Sequence, residues 1–165
     1  MTKTLILVRH SKPESRVSSF KDFGRSLTSE GISDTEKMAR FLLDSGIIPD
    51  FILTSSAKRA SETSRIFAKI LKTNDKNIIS TRNLYYSSVN TILDQIYGLP
   101  DMVECLMIIT HNPGISELSR RLSSGRSSYM DNTQVSLLEY EIDQWFQIND
   151  KKPVKFKSFS LEDIG

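Results

Sequence analysis

The chain has 165 residues, 38% of them hydrophobic, the size and apolar content of one globular domain spanning residues 1–165. Twenty-two Lys and Arg stand against twenty Asp and Glu, a formal net charge of +2 that falls well short of the basic excess of a nucleic-acid binder. No nucleic-acid partner is expected, any anion site must be local, and the single cysteine excludes an internal disulfide.

Thr4–Val8 opens the chain as an apolar run too short for a signal peptide or a membrane span, so the expectation is a soluble cytoplasmic protein without a membrane partner. Asp50–Thr54 and Leu106–Thr110 are apolar enough to be central strands covered on both faces. Cys105 adjoins the last of these, which predicts a buried thiol.

Between the strands the apolar period becomes helical. Ile32, Thr35, Ala39, Leu42 and Leu43 share one face, with Thr28 as N-cap and Gly46 as stop. Ala60, Thr63, Ile66, Phe67, Ile70 and Leu71 predict a second helix, and Val89, Ile92, Leu93 and Ile96 a third, ended near Gly98-Leu99-Pro100. A fourth is predicted over Ile115, Leu118 and Leu122, with Asn112 as N-cap and Pro113 at its first position. Gln134–Ile142, Trp145–Ile148 and Pro153–Ser160 read as strands, with Trp145 and Phe146 as packing residues. The pattern predicts an α/β fold, a three-layer α/β/α sandwich with a mostly parallel central sheet.

Both histidines of the chain stand directly beyond predicted strands, in Val8-Arg9-His10-Ser11 and Ile109-Thr110-His111-Asn112. Ligands of open parallel sheets bind outside the carboxyl ends of the strands, so one crevice can receive both imidazoles. The strand at Asp50–Thr54 delivers Arg59 to the same edge. Arg9 and Arg59 offer guanidinium forks that match phosphate oxygens, and helix starts near Lys58 and Asn112 offer backbone donors. An unprotonated imidazole can accept a phosphoryl group and pass it to water.

These residues resemble the histidine phosphatase superfamily. Arg9-His10-Ser11 is similar to its Arg-His-Gly signature. Ser56-Ala57-Lys58-Arg59-Ala60-Ser61-Glu62-Thr63 is similar to its Ser-Pro-x-x-Arg-Ala-x-Gln-Thr block, and Thr110-His111-Asn112-Pro113 matches its second histidine. Asp22-Phe23-Gly24-Arg25-Ser26-Leu27-Thr28 resembles an Asp-x-x-Arg-Pro-Leu-Thr segment, and Leu84-Tyr85-Tyr86-Ser87-Ser88 extends the likeness. The absence of a long insertion between the second and third blocks favours the SixA-type phosphohistidine phosphatases.

The resemblance implies a phosphoglycerate mutase-like fold, a nucleophile at His10, phosphate binding by Arg9, Arg59 and His111, and no metal or cofactor. Asn112 is a further candidate phosphate contact, and Ser11 either adds one or is merely tolerated where the family has a smaller residue. Arg25 is either a phosphate-loop residue or an ordinary cation, and Asp22 is a possible site residue. The mutase-like branch carries a glutamate acid after the second helix, but Asn83–Asn90 contains no acid, which leaves Asp22 and Glu14 as the carboxyls to consider. Tyr85 and Tyr86 read as packing and rim residues, and Arg120-Arg121 and Lys151-Lys152 as solvated charge.

Three functions fit. The leading one is hydrolysis of phosphohistidine on a partner protein, with inorganic phosphate as product. The others are a small-molecule phosphomonoesterase using the same pocket, and a non-catalytic phosphate- or phosphoprotein-binding module. A Cys-x₅-Arg loop, a Gly-x₄-Gly-Lys loop and a zinc-spaced ligand set are all missing.

Overall fold

The computed structural model describes residues 1–15 and 19–165. Six strands form one sheet in the order β3-β2-β4-β1-β5-β6. They are β1 (Thr2–Arg9), β2 (Phe51–Ser55), β3 (Ile78–Thr81), β4 (Cys105–Thr110), β5 (Val135–Glu141) and β6 (Lys155–Phe159). β1, β2, β3 and β4 run parallel, while β5 is antiparallel to both of its neighbours. The helices are α1 (Ser29–Asp44), α2 (Lys58–Leu71), α3 (Val89–Tyr97), α4 (Gly114–Leu122) and the short α5 (Leu161–Ile164).

The period-2 alternation of each central strand divides the core in two. Leu5, Leu7, Leu106 and Ile108 pack with Ile92, Ile96, Ile115 and Leu118 of α3 and α4. Ile6, Val8, Met107 and Ile109 turn to the opposite face, against Met38, Leu42, Phe67 and Leu71 of α1 and α2. Each such side chain contributes roughly 1.5–3 kcal/mol by leaving water, which is why strands flanked by two helix layers read as unbroken apolar runs. The three-layer α/β/α sandwich with a largely parallel sheet is therefore observed.

Local signals largely held. Thr28 caps α1, its side chain accepting from the Gly31 N–H at 3.0 Å, and Gly46 follows the helix at φ +72°. Ile32, expected on the buried face of α1, is 41% exposed, because Gly31, Thr35 and Met38 form that face instead.

One cap and one strand assignment also fail. Asn112 is not the N-cap of α4, which begins at Gly114 after Pro113, because its amide is held by Ser116 and by the Met130 carbonyl. Trp145–Ile148 is not a strand but part of a 3₁₀ turn, Trp145–Asn149. The Gln147 carboxamide accepts from the Asp143 and Gln144 N–H groups and winds the chain. Trp145 and Ile148, three apart, are then buried and Phe146 faces out, which is 3₁₀ rather than strand spacing. No described helix is long and apolar enough to cross a membrane.

Candidate active site

Parallel pairing of β1 with β4 sets Arg9 opposite Thr110, so the next residues, His10 and His111, emerge side by side with ring centroids 5.0 Å apart. β2 pairs with β4 on the far side and ends at Ser55, whose hydroxyl lies 2.8 Å from His111 Nε2. The cleft above them has a volume of about 280 Å³ and is lined by Arg9, His10, Arg25, His111 and Asn112, together with Pro13, Tyr86, Tyr129 and Asn132. No carboxyl is among these groups. Among the described residues, no group of three or more His, Cys, Asp or Glu comes together as a metal site.

His10 has a defined tautomer. Its Nδ1 lies 2.8 Å from the Ser11 carbonyl oxygen, which can only accept, so Nδ1 carries the proton and Nε2 the lone pair. Arg59 Nε–H donates to that lone pair at 3.3 Å. Burial, with the charges of Arg59, Arg9 and Arg25, pushes the imidazole pKa down to about 3, against the smaller upward pull of the Ser11 carbonyl. His111 is pushed down to about 2 by burial, His10 and Arg59. Both rings are therefore neutral at pH 7, and His111 Nδ1 is buried without a partner among the described residues.

Arg59 is almost wholly buried and its fork is largely engaged. Nη1 donates to the Asp22 carbonyl at 2.8 Å, and Nη2 donates to Asp22 Oδ2 and to the Tyr86 hydroxyl, each at 3.1 Å. Asp22 also accepts from Tyr85 Oη at 2.5 Å and from Arg25 Nε at 3.0 Å. Burial alone raises a carboxyl pKa, but the Tyr85 donor, the Arg59 charge and the hydrogen bonds from Arg59 and Arg25 outweigh it and hold Asp22 below its ordinary range. Asp22 is thus a carboxylate that sets two arginines. Arg25 lines the cleft and is tied at its back to Asp22 and to the Glu14 carbonyl. The Glu14 side chain is exposed and does not line the cleft.

Ser11 faces away from the cleft. Thr35 Oγ1 gives its proton to the Gly31 carbonyl at 2.7 Å and so accepts from Ser11 Oγ at 2.5 Å, while Thr133 Oγ1 donates to Ser11 Oγ at 2.7 Å. The single Ser11 proton is spent on this one-way chain, which overturns a Ser11 hydroxyl contact to phosphate. Asn112 lines the cleft with its amide held from behind. Cys105 is half-buried, not fully buried, and desolvation, aided by Asp50 and Glu139, pushes its thiol up to about 12.

Sequence reasoning missed Asn132 and Thr133. Asn132 Nδ2 donates to the His10 carbonyl at 3.0 Å, and the Thr133 N–H donates to the Arg9 carbonyl at 3.0 Å. Both lie in an aperiodic stretch between α4 and β5, where only the Asn-Thr turn chemistry gave any signal. Tyr86, expected at the rim, is 48% exposed on the cleft wall.

Comparison with known proteins agrees with this geometry. Residues 5–84, a little under half of the chain, match the model of the histidine phosphatase superfamily (branch 1). An uncharacterized chloroplastic protein of Arabidopsis thaliana is 27% identical over 155 residues, covering 88% of this chain and 70% of its own. The structure of the protein histidine phosphatase SixA complexed with tungstate superposes with a TM-score of 0.80 at 18% identity, over 98% of this chain and 99% of that one. A chain assigned as SixA in Agrobacterium tumefaciens superposes at 0.76 with 23% identity, covering 94% and 97%. Phosphoglycerate mutase of Plasmodium falciparum superposes at 0.63 with 21% identity, covering 97% and 91%. The chain therefore has the fold of the histidine phosphatase superfamily in its SixA-type form, with the superfamily's sequence pattern carried by residues 5–84.

Proposed function

We propose that the chain is a metal-independent histidine phosphatase that hydrolyses phosphohistidine on a protein through a phosphoryl intermediate on His10. The observation that carries this reading is the His10 tautomer: Nδ1–H is fixed on the Ser11 carbonyl, and the neutral ring lines a cationic cleft with its proton-free Nε2 held only by Arg59 Nε–H at 3.3 Å. Nε2 attacks phosphorus as the bond to the leaving group breaks, and water then displaces phosphate from phospho-His10.

Arg9 and Arg25 supply charge to the phosphoryl oxygens from the cleft wall, and Arg59, whose Nε–H meets the Nε2 lone pair at 3.3 Å, passes that donor to the phosphoryl group as phosphorus takes its place. With Ser55 O–H donating to Nε2 of His111, the unpartnered Nδ1–H becomes a further donor to the same oxygens. SixA binds tungstate, a tetrahedral oxyanion of the same shape, which supports a phosphoryl site.

The leaving group is the part of the reading that the missing carboxyl informs. An alkoxide whose conjugate acid has a pKa of about 15 needs a positioned proton donor, whereas an imidazole, titrating at about 6.5, leaves with a proton from solvent. A cleft with no carboxyl among its described lining residues, with Asp22 held ionised, therefore favours phosphohistidine over alkyl esters.

Phosphate release in EDTA from a phosphohistidine protein and from alkyl esters tests this. The expected kcat/KM ratio is at least ~100, the lower end of general acid catalysis, with His10→Ala inactive on both. Equal rates on the two substrates would replace this reading with the small-molecule phosphomonoesterase, and phosphate binding without turnover would leave the binding module.

A further inference from the structure

The catalytic cleft does not end at Tyr129. The same side chain also walls a second hollow of about 220 Å³, lined by Pro113, Ser116, Glu117, Arg120 and Ser128 at the start of α4. The ridge between the two is rigid. Met130 offers its N–H to Ser116 Oγ at 2.8 Å, and its carbonyl accepts from Asn112 Nδ2 at 2.8 Å and from Arg9 Nη1 at 3.1 Å. The backbone that carries Tyr129 is thus pinned to the nucleophile's own arginine and to α4, yet the tyrosine is 64% exposed. A large exposed ring on a fixed backbone loses little entropy on binding, the property of an aromatic anchor.

Glu117 and Arg120 stand three residues apart on one face of α4, both exposed, and neither forms an ion pair with another described residue. Tyr129 is a wall of both hollows, so a chain that runs from a phosphoryl group on His10 across this side chain enters the second. We infer that this hollow is a subsite for the polypeptide flanking the phosphorylated histidine, with Tyr129 covering the chain and Arg120 and Glu117 meeting its charged side chains. A bare phosphate ester does not reach that far, while a polypeptide supplies both signs of charge and an apolar strip for Pro113 and Tyr129.

The inference rests on the histidine phosphatase reading, and one comparison separates the two. Kinetics are measured on free phosphohistidine and on a short peptide with phosphohistidine at its centre and acidic and basic residues on both sides. The leaving group is the same, so any difference belongs to the flanking chain. Arg120→Ala is expected to raise KM for the peptide by about fivefold, the weight of one exposed charge contact, and to leave free phosphohistidine within about twofold. Tyr129→Ala is expected to lower kcat/KM for the peptide more than for free phosphohistidine. Equal changes on both substrates, or no change with Arg120→Ala and Arg120→Glu, would overturn the subsite while sparing the phosphatase. Turnover of neither substrate by the unaltered protein would overturn the phosphatase reading and the subsite with it.

Discussion

At the scale of single residues, His10 is positioned by backbone contacts from the segment before β5. Asn132 and Thr133 hold the backbone carbonyls of His10 and Arg9, and Thr133 does so at φ +66°, a left-handed conformation that costs a β-branched residue on the order of 1–3 kcal/mol. That strain is held where it orients His10. Ser11 belongs to the same scaffold. Ser11→Ala leaves the Thr133 hydroxyl without its acceptor and Thr35 without its donor, so chemical denaturation is expected to show a loss of about 1–3 kcal/mol, with KM for phosphorylated substrates within about threefold. A large rise in KM at unchanged stability would put the hydroxyl back on the phosphate. From the sequence alone Ser11 read both ways, since the direction of a hydroxyl is decided by partners distant in sequence, Thr35 and Thr133.

At the scale of elements, the strands that carry His10 and His111 were legible because burial on both faces leaves an unbroken apolar run. β3 was not, being a short edge strand with only one neighbour and half-exposed side chains. Trp145–Ile148 was misread because a four-residue apolar and polar mixture fits strand and 3₁₀ spacing equally, until the Gln147 side chain decides. The close seating of α1 on the first loop was also hidden. A Cβ at Gly31 would collide with the backbone carbonyl of Lys12, two residues beyond His10. Gly31→Ala is therefore expected to cost about 1–3 kcal/mol and to reduce kcat by displacing that loop, as read by thermal melting and steady-state assay. Full stability and full activity in that variant would show that the loop yields without consequence.

At the scale of the whole molecule, two neutral histidines and an ionised Asp22 buried together make the fold sensitive to acid. His10 and His111 titrate near 6.5 when unfolded but are pushed down to about 3 and about 2 when folded, so the unfolded chain binds more protons as pH falls below 6.5. Stability is present in full above that value and declines from about pH 6.5 towards pH 3, by up to about 1.4 kcal/mol per pH unit for each histidine. Asp22, lowered in the folded state, adds its own loss only below its ordinary range near 3.8. Denaturation midpoints across pH 4–8 are expected to fall on the acid side, with a shallower slope in His111→Asn. A slope unaltered by that substitution would mean that the acid sensitivity resides elsewhere.

The central claim, that His10 Nε2 carries the phosphoryl group, is tested most directly by trapping it. The protein is mixed with a phosphohistidine substrate, quenched in alkali within a turnover, and digested, and the phosphate is located by mass spectrometry. The expected result is phosphate on the peptide containing His10, attached at Nε2, labile to acid and absent from His10→Ala. Phosphate release by His10→Ala at the unaltered rate, or a label found on His111 or on no histidine at all, would contradict it.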